Sequence, residues 1–122
     1  MENFRELNLS PALFTAIEEL GFVKPTPIQA QAMPLLLEGP TDFLGLAATG
    51  TGKTAAYGIP MLEQINNSLR AVQVLVLCPT RELALQIAEQ LNLLGKHRRV
   101  HAAAIYGGAG YGTGCEPPVT GP

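Results

Sequence analysis

Apolar positions divide the chain into two alternating kinds of segment. Leu13, Ile17 and Leu20 recur every three or four residues, the spacing that lines up one face of a helix. Ser10-Pro11 ahead of them is a cap followed by the residue suited to a first helical turn, and Gly21 behind them is a stop. Thr26-Pro27 repeats that start and predicts a second helix through about Ala32. Pro34 is expected to kink or restart the chain before Leu35-Leu36-Leu37, and Gly39-Pro40 ends the segment. A third helix is predicted from about Lys53 to Asn66. A fourth opens at a Thr80 cap, carries Leu83, Ile87, Leu91 and Leu94 as its apolar stripe, and stops at Gly95.

Between the helices lie short apolar runs with no helical period. Phe43 to Ala48 reads as a buried strand. Val72 to Cys78 is β-branched and apolar nearly throughout, as a strand covered on both faces should be. Val100 to Tyr106 is a third strand candidate, although its alanines favour helix. Strands alternating with helices of this length predict an α/β fold with parallel strands flanked by helices. From Gly110 onward glycine and proline remove all periodicity, so that stretch reads as loop or disorder.

Composition narrows the picture. Of 122 residues, 47% are hydrophobic and 15% charged, which suits one small domain with its own core. No run of 18 apolar residues suggests a membrane span. Met1 to Glu6 has no apolar stretch of the signal-peptide kind, so the cytoplasm is the expected location. A net charge of −2 does not advertise a nucleic-acid binder. The one basic run, Lys96-His97-Arg98-Arg99 with His101 beyond it, suits a solvated helix C-terminus. Cys78 and Cys115 lack metal-ligand spacing, and Cys78 reads as a core thiol.

The chemistry is concentrated at Ala47-Ala48-Thr49-Gly50-Thr51-Gly52-Lys53-Thr54, at a strand-to-helix junction. Gly50 and Gly52 allow the backbone to turn its N–H groups toward phosphate oxygens. Lys53 adds a cation for the β- and γ-phosphates, and Thr54 a hydroxyl for Mg²⁺. The positive end of the following helix points to the same place. A plain glycine turn explains the glycines but not the lysine and threonine beside them. A phosphate loop alone fits kinases, GTPases, transporters and helicases equally.

Three further segments resemble one family, the DEAD-box ATP-dependent RNA helicases. Gly21 to Gln29 is similar to their Q motif, with Phe4 at its usual upstream aromatic position; the loop beginning at Ala47 is similar to their motif I, where alanine is the ordinary residue. Pro79-Thr80-Arg81-Glu82-Leu83-Ala84-Leu85-Gln86 resembles motif Ia, and Gly107-Gly108 their GG element. The resemblance implies a RecA-like P-loop domain, incomplete over residues 1–113, with a Q-motif region over about 1–40 and a tail at 114–122 outside the family pattern. It also implies ATP and Mg²⁺ as cofactors. Phe4, Phe22, Lys24, Gln29, Thr49, Gly50, Thr51, Gly52, Lys53 and Thr54 would bind the nucleotide, Thr54 reaching the metal. Pro79, Thr80, Arg81, Gly107 and Gly108 would touch the RNA backbone without reading sequence. The carboxamide of Gln29 donates and accepts at once, which matches the N6/N7 edge of adenine and not guanine.

The family's Asp-Glu-Ala-Asp and Ser-Ala-Thr motifs are not in this sequence. The expectation is therefore a chain that belongs to an RNA-unwinding ATPase yet does not itself hydrolyse ATP. Its sheet is expected to be rearranged, exchanged between chains or poorly soluble, because the strands that separate the Ala47 and Cys78 segments are missing. A non-catalytic binding module and a P-loop enzyme outside the helicases are the competing readings.

Overall fold

Thr26 shows how the local signals turn into structure. Its hydroxyl accepts from the Gln29 N–H, and the Gln29 side chain accepts from the Thr26 N–H at 3.0 Å, a reciprocal cap that opens a helix. The computed structural model describes residues 1–48 and 52–107. Within them four helices form: α1 (Pro11–Glu19), α2 (Pro27–Glu38), α3 (Lys53–Gln64) and α4 (Arg81–Leu94). Single 3-10 turns stand at Phe4–Glu6 and Lys96–Arg98.

One predicted boundary shifts. Pro34 neither ends nor restarts a helix, and α2 runs through it to Glu38; α3 runs through Pro60, as predicted. An internal proline forfeits one backbone hydrogen bond and costs on the order of 3 kcal/mol in an isolated helix. Here α2 and α3 pack chiefly on one another, with Met33, Ile59 and Pro60 fully buried, and that burial offsets the loss. Pro40 also lacks an N–H for the Leu36 carbonyl, and the Gln64 side chain donates to it instead at 2.7 Å.

Ser10 stands at the N-cap of α1, but its hydroxyl caps nothing and is buried without a partner. Its backbone N–H is taken by both oxygens of Glu63, at 3.1 and 3.2 Å. Glu63 also holds Arg98, whose second terminal nitrogen donates to the Ile65 carbonyl at 2.8 Å. His97 pairs with Glu19. The basic run is therefore largely a clasp between the ends of α1 and α3, not the solvated terminus expected from the sequence.

The core lies where α1, α3 and α4 meet: Leu13, Ile59, Leu62, Leu91 and Leu94. α3 and α4 approach closely because position 58 is glycine; a Cβ there would stand 2.8 Å from the Leu91 Cδ2.

The three strand candidates do not become strands. Among the described residues no backbone ladder forms, so the parallel arrangement is not seen. Period-two patterning survives along Val100 to Tyr106, where exposed and half-buried residues alternate. In the other segments it leaves Leu44 and Leu46 88% and 89% exposed, and Leu75 and Leu77 78% and 85% exposed. In the Val72–Cys78 segment only Val76 and Cys78 are half-buried and the other residues are exposed, so it is not the strand covered on both faces that its composition implied. A strand needs a neighbouring strand for its N–H and C=O groups, and among the described residues none is laddered to these segments.

Candidate nucleotide and RNA site

The reciprocal cap at the start of α2 does more than begin a helix. Because Gln29 turns back toward Thr26, its carboxamide is carried to the end of the phosphate loop, where Nε2 donates to the Gly52 carbonyl at 3.2 Å. Gln29 is only 3% exposed, so it is no surface glutamine. The two contacts occupy one lone pair and one N–H of the carboxamide. Among the described residues its other lone pair and N–H have no protein partner, and they are the complement adenine requires.

Gly52 is confined in two ways. Its φ is +81°, and a Cβ on it would lie 2.3 Å from Gln29 Nε2. Glycine alone satisfies both demands. The loop then delivers Lys53 as the first residue of α3, with an exposed side chain at the N–H groups of the helix's first turn. Thr54 follows, half-buried. Burial pushes the Tyr57 phenol above its ordinary range, an effect partly offset by a hydrogen bond with the Thr54 side chain and reinforced by nearby Cys78. This cation, hydroxyl and helix end suit a magnesium-bound triphosphate.

A second cluster lies at the start of α4. Thr80 caps it by accepting from the Leu83 N–H at 3.2 Å, and Pro79 and Arg81 are exposed. Arg81 pairs with no acid among the described residues; its guanidinium lies over the Tyr106 ring, 5.1 Å from the centroid, and donates to the Gly107 carbonyl at 3.0 Å. Two segments that the sequence singled out separately are thereby brought together.

Residues 26–114 match the model of the DEAD/DEAH box helicase family. The chain belongs to that family. It is 50% identical over 108 residues to the DEAD-box ATP-dependent RNA helicase CshA of Bacillus cereus, covering 88% of this chain and 20% of that protein. It thus spans about a fifth of the length of that curated relative. Among solved structures it superposes on the ADP-bound RNA helicase Prp28 of Chaetomium thermophilum with a TM-score of 0.80 at 35% identity, over 89% of this chain and 28% of that one. On Saccharomyces cerevisiae Dbp5 bound to RNA and ADP BeF3 the TM-score is 0.76 at 40% identity, over 80% of this chain and 25% of that one. The fold is therefore that of a RecA-like α/β helicase domain.

Other candidate residues of this DEAD/DEAH box chain are more dispersed. Phe4 is 4% exposed and packs in the core, its ring stacked on Phe22 at 6.4 Å between centroids. Both rings line a cleft of about 280 Å³ with Gly21 and Val23. Lys24 is exposed. Thr49, Gly50, Thr51, Gly108 and the tail at 114–122 lie outside the described residues.

Three participants escape a motif reading. Thr26 holds Gln29 in place, and its signal was present in the Thr-x-x-Gln spacing of a reciprocal cap. Tyr57 and Tyr106 have no local signature. Tyr57 reaches Thr54 across one helical turn, while Tyr106 meets a residue 25 positions earlier only through folding.

Proposed function

We propose that this chain forms the adenine- and phosphate-binding part of an RNA-dependent ATPase that separates short RNA duplexes. The reading is carried by the hydrogen bond from Gln29 to the Gly52 carbonyl. It joins a group fit to recognise a base to the loop fit to hold phosphates. Lys53 neutralises the β- and γ-phosphates, the helix N-terminus adds partial positive charge, and Thr54 supplies an oxygen to Mg²⁺. Gln29 pairs its free N–H with adenine N7 and its free lone pair with the N6 amino group. Phe22 and Lys24 border the base, Thr49, Gly50 and Thr51 complete the loop, and Phe4 contributes a ring edge through the cleft it shares with Phe22. Pro79, Thr80, Arg81, Gly107 and Gly108 hold the RNA backbone, which fixes register without selecting sequence. The relatives' names, ATP-dependent RNA helicase for CshA and a complex with RNA and ADP BeF3 for Dbp5, support the same assignment.

The 122 residues alone bind adenine nucleotide and leave it intact, because the metal-holding acids and the water-positioning group are not among them. Beside further strands of the RecA-like arrangement, the segments at 43–48, 72–78 and 100–106 would pair as parallel strands.

Competition for a fluorescent ADP analogue, with Mg²⁺ present, tests the assignment. ATP is expected to displace the analogue at about a tenfold lower concentration than GTP, the scale of one bidentate base pairing, and Gln29→Ala should erase the preference. Equal displacement by the two nucleotides would return the chain to a generic phosphate-loop protein. Phosphate release stimulated by RNA would contradict the claim that this chain leaves ATP intact.

A further inference from the structure

A guanidinium at the start of α4 is useful to a phosphate only if it is held in place, and Arg81 is held by residues beyond the far end of α4, 26 positions later for Gly107. Its Cζ lies 5.1 Å from the centroid of the Tyr106 ring, and Nη2 donates to the Gly107 carbonyl at 3.0 Å. Arginine has five N–H donors, and one is committed to Gly107. The side chain is exposed, pairs with no acid among the described residues, and stands beside the first N–H groups of a helix whose Thr80 cap bonds to Leu83.

We propose that Tyr106 is a positioning residue for RNA binding: its ring fixes the plane of the Arg81 guanidinium so that the remaining donors meet one backbone phosphate. This rests on the RNA reading of Arg81 given above and adds to it a residue that makes its contribution through another. The physical reason lies in the mobility of a long side chain. A freely rotating arginine must be ordered when the phosphate arrives, whereas one already stacked on a ring is ordered beforehand. The stack leaves the planar fork intact, since the ring covers a face of the guanidinium and not its N–H edge. The Gly107 contact sets the rotation of the fork within that plane. A phenylalanine would serve equally, because the stack uses the ring and not the hydroxyl.

The test is a double-substitution cycle in this chain, with a single-stranded oligouridine RNA as probe and fluorescence anisotropy read across a salt series. Arg81→Ala and Tyr106→Leu are each expected to weaken binding by about three- to tenfold and to lower the salt slope by about 0.7, one phosphate contact on a single strand. Tyr106→Leu added to Arg81→Ala should cost nothing more, and Tyr106→Phe should bind as the unchanged chain does. Helical circular dichroism accompanies each variant, so that unfolding is not mistaken for lost contact. Equal losses from Tyr106→Leu with and without Arg81 would mean that the ring meets RNA directly, and the proposal falls. It falls also if Tyr106→Leu leaves affinity and slope unchanged while the unchanged chain binds. Failure of the unchanged chain to bind any oligouridine would overturn the RNA reading itself and this inference with it.

Discussion

Gly52 concentrates the constraints on the nucleotide site in one position. It needs a left-handed backbone for the loop and an empty space for the Gln29 carboxamide. Substituting alanine adds a left-handed penalty of about 1–2 kcal/mol and displaces a hydrogen bond worth about 1 kcal/mol. Gly52→Ala is therefore expected to lower stability by about 2–3 kcal/mol and to weaken adenine nucleotide binding at least tenfold. Thermal melting and nucleotide titration of the same variant would check both. Unchanged affinity would show that the carboxamide and the loop work independently. The need for glycine was legible in the phosphate-loop spacing, but its second reason was not. Gln29 lies 23 residues earlier, and nothing in the chain between them announces that they touch.

At the scale of elements, the helices owe their starts to local chemistry and their lengths to packing. Thr26 and Thr80 behave as their sequence positions imply, each bonding the backbone three residues ahead. Ser10 does not: its hydroxyl has no partner, the Leu13 N–H bonds its carbonyl at 3.1 Å, and Glu63 reaches its N–H from α3. That carboxylate is the joint between α1, α3 and the turn holding Arg98. Both partners are about four-fifths buried, with side-chain exposures of 18% and 21%. Removing the acid leaves a guanidinium and an N–H with poorer partners in a drier place. Glu63→Ala is expected to destabilise the chain by about 2 kcal/mol, and Arg98→Ala by less, since it leaves Glu63 bonded to Ser10. A smaller loss at Glu63 than at Arg98, measured by thermal melting, would overturn that order. The basic run looked like a solvated helix end because its acidic partners, Glu19 and Glu63, stand far away in sequence.

For the molecule as a whole, the four helices supply most of the core of an α/β domain. Leu44, Leu46, Leu75 and Leu77 stand on segments that are largely exposed. Exposed apolar side chains on unpaired extended segments favour association through their edges and faces. The purified chain is expected to self-associate at micromolar concentrations, and replacing Leu75 and Leu77 together with threonine should reduce this. Light scattering against concentration provides the measure. A monomeric unchanged chain at high concentration would count against this expectation.

Apolar period and cap signals determined that four helices form and where they start, because a helix closes its hydrogen bonds within itself and needs only one covered face. Glycine, lysine and threonine at fixed spacing likewise carried the proposal of a phosphate-binding chemistry, since that loop is made by neighbouring residues. The strands were a different matter. A ladder is a relation between distant segments, and among the described residues the apolar runs with strand composition form none. Only the tertiary structure decided which separate motifs meet: Gln29 with Gly52, and Arg81 with Tyr106 and Gly107. Those meetings are set by how helices pack on one another, and packing is a property of the folded chain rather than of any stretch within it.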